Sequence, residues 1–312
     1  MRYSPAFSAS LTRRRLVTLG GAAALCGFFG RSAKAQPPGR RPAIGVNSYS
    51  VRASMTGHAQ STLRQLKHIG FEDVELVGEK ELERATPMCR QLGLEVLSLH
   101  VWELFDPGAP NAVHASAAET LADHAHRLGV RYVVFAGEVP REACSDLRSA
   151  HLFCDAIGQV GRLMAQRQVG FLVHPEPSVF AAVGSTSIFD QLLERTSGDY
   201  VNFEPDVFWI AHVGRDPVKE LERLGNRTKI VHLKDRKKGL PIASPWDDAP
   251  LTADAFTPLG GGSLDMPGIL RTALVAGVRH LVLEHDVARG DPLIDLAQDY
   301  RRLVRMLDEL GA

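Results

Sequence analysis

The sequence predicts a (β/α)8 barrel in one domain, and three observations carry that prediction. From Ile44 onward, short apolar runs alternate with amphipathic stretches eight times. Three helix-to-strand joints repeat one phrase: Ile69-Gly70-Phe71, Leu128-Gly129-Val130 and Ala276-Gly277-Val278. Acids and histidines gather where the strands end, on the face where such barrels place their chemistry. Eight strand–helix units in the residues after position 43 of 312 match the size of such a barrel. A doubly wound open sheet would carry a Gly-rich phosphate turn after its first strand, and Val46-Asn47-Ser48-Tyr49 offers none.

The elements follow in order. Strands are expected at 44–50, 73–76, 95–100, 132–135, 170–174, 201–206, 229–234 and 280–284, each a short apolar run bounded by polar or turn residues. Helical periodicity marks stretches such as 60–69, 79–92, 115–128, 148–166, 216–224 and 268–276, and a last helix at 292–310. Glycine at the three repeated joints fits the residue that ends a helix, and the apolar residue after it re-enters the core. The long irregular stretch 236–264 follows strand seven and reads as a lid or substrate loop.

The chain opens on a different composition. Lys+Arg and Asp+Glu balance at 36 each, but six bases and no acid lie in residues 1–35, so the remainder carries 30 bases against 36 acids, a net −6. Arg13-Arg14-Arg15, a short apolar run to Phe29 and Ala33-Lys34-Ala35 form a basic, an apolar and a cleavage region. Paired arginines before a weakly apolar run resemble a twin-arginine signal, so residues 1–35 are expected to be a signal peptide, 36–43 a linker and 44–312 the barrel. This implies a periplasmic or secreted protein that uses the twin-arginine export machinery and keeps no stable membrane anchor. An acidic body disfavours nucleic acid as a partner. Cys89, Cys144 and Cys154 have no metal-type spacing; buried free thiols are expected, with a Cys144–Cys154 disulfide the alternative.

The polar strand ends are His100, His174-Pro175-Glu176, Glu204-Pro205-Asp206, His232-Leu233-Lys234-Asp235 and Glu284-His285-Asp286. Each alone has an ordinary explanation as a helix cap or a satisfied core histidine. Together, converging on one mouth, they would carry a heavy desolvation cost without a counter-ion. A divalent cation removes that cost, and carboxylates with an imidazole suit Mn²⁺, Co²⁺, Mg²⁺ or Zn²⁺.

Several motifs also stand in a known order. Residues 44–52, Asp206-Val207-Phe208-Trp209, Gly214-Arg215-Asp216-Pro217, His232-Leu233-Lys234-Asp235, Leu259-Gly260-Gly261-Gly262-Ser263-Leu264-Asp265 and Glu284-His285-Asp286 resemble the xylose-isomerase-like TIM barrel family of sugar phosphate isomerases and epimerases. The resemblance implies one divalent metal held by a Glu, an Asp, a His and a second Glu, here Glu176, Asp206, His232 and Glu284. Many members read His-Asn-His at strand five where this chain has His174-Pro175-Glu176, so His174 is the rival for the strand-five ligand. The implied activity is a metal-dependent sugar isomerase or epimerase acting through an enediolate, with Glu176 and Glu284 alternating as base and acid. His100, His174, His212 and Lys234 are expected to contact a carbohydrate substrate, with Trp102, Trp209 and Phe208 a possible apolar wall. A lyase or hydrolase of 3-keto-glycosides and a non-catalytic sugar- or metal-binding barrel are the alternatives. Gly260–Ser263 is expected to be structural rather than a phosphate loop.

Overall fold

The computed structural model describes residues 41–106, 109–113, 115–247 and 249–312. The signal segment and most of the linker expected before the barrel lie outside the described residues. Among those described, no helix is long and apolar enough to cross a membrane.

Eight parallel strands form the barrel: β1 (Ala43–Asn47), β2 (Asp73–Val77), β3 (Glu95–Val101), β4 (Tyr132–Phe135), β5 (Gly170–Val173), β6 (Asn202–Phe203), β7 (Ile230–Leu233) and β8 (His280–Leu283). They are hydrogen-bonded in the order β6-β5-β4-β3-β2-β1-β8-β7. Parallel bridges Phe203–Thr228 and Asp206–His232 join β6 to β7 and close the ring. The helices are α1 (Arg52–Ile69), α2 (Glu79–Leu92), α3 (Ala115–Arg127), α4 (Leu147–Gln166), α5 (Ile188–Arg195), α6 (Val207–His212), α7 (Pro217–Leu224), α8 (Met266–Val275) and α9 (Pro292–Glu309). Gly129 and Gly277 take φ of +65° and +81° at the joints the repeated phrase marked.

Two helices go beyond the periodicity. Helix α5 spans eight residues capped by Ser187, whose Oγ accepts from Asp190 N, after a small hairpin at 182–187. Helix α6 starts where strand six was expected to end, because the Asp206 carboxylate accepts from the amides of Phe208 and Trp209 and turns the chain into a helix.

The packing sorts into layers. Between strands and helices lies the main core, including Phe71, Phe153, Phe171, Phe189 and Phe203. Inside the barrel a small apolar plug of Leu97, Val134, Leu172, Ile230 and Val282 fills the middle. Below the plug, His280 Nδ1 lies 2.6 Å from Asp73 Oδ2, and Arg131 approaches His280 Nε2 at 3.0 Å. Above the plug, polar side chains such as Asn47, His100, Glu176 and Lys234 face inward. The β2–β3 register shifts at Val74/Glu75, leaving Leu97 unpaired, and past that bulge Ser98 and His100 stand beside Glu75.

The stretch after β7 is tied down. Asp235 Oδ2 accepts from the amides of Gly260 and Gly262 at 2.9 Å each, while Oδ1 takes Arg236 N at 2.8 Å and Leu264 N at 3.3 Å. A Cβ on Gly262 would collide with Asp235 Oδ1 and the Arg236 carbonyl. The glycine run is therefore a cradle for an internal carboxylate, in keeping with its structural reading. Asp265 caps α8 through Gly268 N. Cys89, Cys144 and Cys154 are free thiols, the first and last buried.

Candidate active site

The strand ends enclose a polar cavity of about 320 Å³ at the barrel mouth, lined among others by Asn47, Tyr49, His100, Trp102, Glu138, His174, Glu176, Trp209, Lys234, Glu284 and Asp286. Its ionisable groups form two tiers.

The lower tier is buried beneath the cavity, with His100 alone reaching its lining. Glu75 and Glu204 face His100 and His232, with His232 Nε2 2.6 Å from Glu75 Oε2 and 2.8 Å from Glu204 Oε1. His100 Nε2 lies 2.9 Å from Glu204 Oε1 and 3.3 Å from Glu75 Oε2. Ser98 Oγ donates to Glu75 Oε1 and Asn47 Nδ2 donates to Glu75 Oε2. Burial alone would raise both glutamates, but the two imidazoles beside them hold Glu75 below the ordinary carboxylate range and Glu204 well below it. In turn, Glu204 and Glu75 overcome the desolvation of His100 and push its imidazole up to about 10. His232 moves the same way for the same reason.

The upper tier faces the cavity. Lys234 Nζ sits 2.7 Å from Glu284 Oε2, 2.8 Å from Asp286 Oδ2 and 2.8 Å from Asp206 Oδ2. The contact to Asp206 is an ion pair without hydrogen-bond alignment, since Asp206 Oδ2 has no aligned donor. His232 Nδ1 reaches Glu284 Oε2 at 3.0 Å, and His174 Nε2 points toward Glu176 Oε1 at 3.7 Å and Asp206 Oδ2 at 3.9 Å. Glu176 begins the turn after β5 but makes no cap hydrogen bond, so its carboxyl is available to the cavity.

The two cavity glutamates are driven apart. Burial raises the Glu176 carboxyl well above the usual range, opposed by Lys234 and reinforced by Glu138, Asp206 and Asp286. Glu284 is the more deeply buried of the two, yet Lys234 and His232 outweigh its desolvation and hold it well below that range. Two carboxyls with opposite displacement over one cavity are what acid–base chemistry needs: one keeps its proton, the other is an ionised base.

The donors also suit a cation. Glu75, His100, Glu204 and His232 can each turn one ligand atom to a common point, and so can His174, Asp206 and His232. Among the described residues, Glu204 Oε2 is a buried oxygen without a hydrogen-bond partner. Mixed imidazole and carboxylate donors fit Mn²⁺, Co²⁺ or Zn²⁺.

The expected residues are mostly brought together. Glu176, Glu284, His100, His174 and Lys234 line the cavity, and Asp206 and His232 lie directly beneath it. His212 is set apart: helix α6 turns it back to stack on Phe208 at 5.5 Å, and its imidazole, lowered by burial and Arg236, does not line the cavity. Trp209 and Trp102 border the cavity, whereas Phe208 packs behind it on Phe256. Glu75 and Glu204 were not among the expected site residues. For Glu75 the signal was an acid inside a strand between Val74 and Leu76, which a buried strand tolerates only with a partner; Glu204 stood at a polar strand end without being assigned a role.

Comparison with known proteins bears on this geometry. A model of the Xylose isomerase-like TIM barrel family matches residues 63–310. The chain belongs to that family. It is 29% identical over 144 residues to inosose dehydratase of Clostridium tetani, a match covering 44% of this chain and only about half (48%) of that relative. The fold superposes on a sugar phosphate isomerase/epimerase of Parabacteroides distasonis with a TM-score of 0.69, 19% identity and coverage of 85% and 98% of the two chains. It also superposes on a probable 3-DHS dehydratase of Bacillus anthracis (TM-score 0.65, 16% identity, 84% and 98%) and on an L-ribulose 3-epimerase (TM-score 0.64, 13% identity, 86% and 95%). At such identities the structural likeness concerns the fold. Proteins named as an isomerase/epimerase, a dehydratase and an epimerase thus share this fold.

Proposed function

We propose that this chain is a divalent-metal-dependent isomerase or epimerase of a keto-sugar or related carbohydrate. The observation that carries the proposal is the pair Glu176 and Glu284, which share one cavity with their carboxyls displaced in opposite directions. Moving a carbonyl along a sugar, or inverting the carbon beside it, requires a proton to leave that carbon and another to return. Ionised Glu284 is suited to take the proton and protonated Glu176 to return one. A divalent ion held by Asp206, His232, Glu284 and a strand-five side chain would supply charge stabilisation for the enediolate oxygens. His100 and His174 line the cavity where substrate hydroxyls would sit, and Trp102 and Trp209 offer apolar surface to a ring face. Among the described residues, four acids and one lysine line the mouth and no arginine does. That balance supports an uncharged sugar over a phosphorylated one, because every Lys234 contact is already spent on carboxylates.

The dehydratase relatives support a second reading. Loss of water from a keto-polyol starts with the same proton abstraction, and a protonated Glu176 could then protonate the departing hydroxyl. Incubation of candidate keto-sugars with Mn²⁺-loaded protein in D₂O, followed by NMR, tests both. Deuterium at the carbon beside the carbonyl with an isomeric product supports the isomerase; an unsaturated product supports the dehydratase. No exchange with any keto-sugar refutes the enediolate account. The basic and apolar N-terminal segment supports placing this activity in the periplasm or outside the cell.

A further inference from the structure

We infer that the strand-five metal ligand is His174 rather than Glu176, so that the centre is built from two imidazoles and two carboxylates, with Glu204 and Glu75 as the positioning residues that aim both rings. The inference rests on the metal-dependent reading and departs from the three-carboxylate, one-histidine set that the family resemblance implies.

A carboxylate only accepts, so each imidazole nitrogen against one must carry hydrogen. His174 Nδ1 lies 3.1 Å from Glu204 Oε1, which fixes its N–H at Nδ1 and leaves Nε2 on the cavity side, facing Asp206 Oδ2 and Glu176 Oε1. His232 lies the other way round. Its Nε2 is 2.6 Å from Glu75 Oε2, so the inward N–H is at Nε2, while Nδ1 is turned up to Glu284 Oε2 at 3.0 Å and by the same rule carries a hydrogen that a bound cation would displace. Two rings from adjoining parts of the barrel therefore hand their inward hydrogen to buried acids and direct the opposite nitrogen to the same mouth. A carboxylate behind a ligating imidazole is the usual means of fixing its orientation and basicity. Glu204 and Glu75 are wholly enclosed and stand behind these rings rather than in the cavity lining. Asp206 Oδ2, without an aligned donor, faces the point where His174 Nε2 converges. Glu176, one residue past Pro175, is thereby left out of the metal's ligand set and free to exchange a proton.

The test is X-ray absorption at the zinc edge of wild-type protein loaded with one equivalent of Zn²⁺, where multiple scattering counts imidazoles, together with Zn²⁺ titration of variants. Two imidazoles, with Glu176→Gln retaining Zn²⁺ affinity to within about threefold and Glu204→Gln losing about 10- to 100-fold, are expected. One imidazole, with affinity lost in Glu176→Gln, overturns the inference and leaves the metal-dependent reading standing. Failure of wild-type protein to take up Zn²⁺ or Mn²⁺ overturns both. The imidazole count needs no variant, so it decides the matter even where Glu204→Gln does not fold.

Discussion

Replacing Lys234 with methionine removes a cation and keeps the stem. In the wild type the ammonium is buried and contacts Glu284, Asp286 and Asp206 at 2.7 to 2.8 Å. Taking away one partner of a buried ion pair costs about 3–5 kcal/mol, because the remaining charge stays desolvated and unpaired. Three carboxylates share this one cation, so the upper part of that range is expected without metal. A divalent ion bound by Asp206 and Glu284 would offset most of the loss. Urea unfolding of wild type and Lys234→Met, each in chelator and in excess Mn²⁺, gives four stabilities. The variant should lose about 3–5 kcal/mol in chelator and gain more from Mn²⁺ than the wild type does, since the ammonium no longer repels the ion. A loss below about 1 kcal/mol in chelator, the range of a solvated pair, or equal Mn²⁺ gains in both proteins, would refute the idea that Lys234 is the internal counter-ion of the mouth.

Other consequences follow from the same contacts. Activity should fall as pH rises through the raised Glu176 value, because the acid is lost, and Glu176→Gln should abolish that alkaline limb; a limb that persists in the variant assigns it elsewhere. At the opposite end of the barrel, His280→Ala orphans the buried Asp73 and should cost about 2–4 kcal/mol of stability while leaving the rate per folded molecule unchanged. Gly262→Ala pushes a methyl into Asp235 and should destabilise the loop cradle by about 1–3 kcal/mol, measured by urea unfolding against wild type. Burial pushes the Cys89 and Cys154 thiols up to about 12, so native protein at pH 8 should leave both unalkylated by iodoacetamide, with peptide mapping as the readout.

The architecture was legible because the strands are short apolar runs and three helix ends carry the same glycine phrase. Strand four is found at the expected residues, and the others differ by one to a few residues at their ends. What escaped was local. Helix α5 is too short for periodicity to stand out and follows a hairpin that breaks the rhythm. Strand six stops early because Asp206 is both a site residue and a helix cap, two roles that one letter cannot separate. For His212, position along the chain misled: a turn of helix after Asp206 swings it away from the cavity. Glu75 and Glu204 were hidden for a different reason. The histidines that hold them are 25 or more positions away for Glu75 and, for Glu204, lie on three other strand ends, so only closure of the barrel shows the acids to be paired. For Glu75, an acid in the middle of a buried strand was the available clue.

The central claim is that a divalent ion belongs at this mouth. Elemental mass spectrometry on protein purified without added metal or chelator, comparing wild type with Asp206→Asn and Glu284→Gln, tests it most directly. The account predicts about one Mn, Co or Zn ion per wild-type chain, the stoichiometry of a single mixed imidazole–carboxylate site, and little in either variant. Wild-type protein that carries none, and acquires none on incubation with Mn²⁺, Co²⁺ or Zn²⁺, would contradict it.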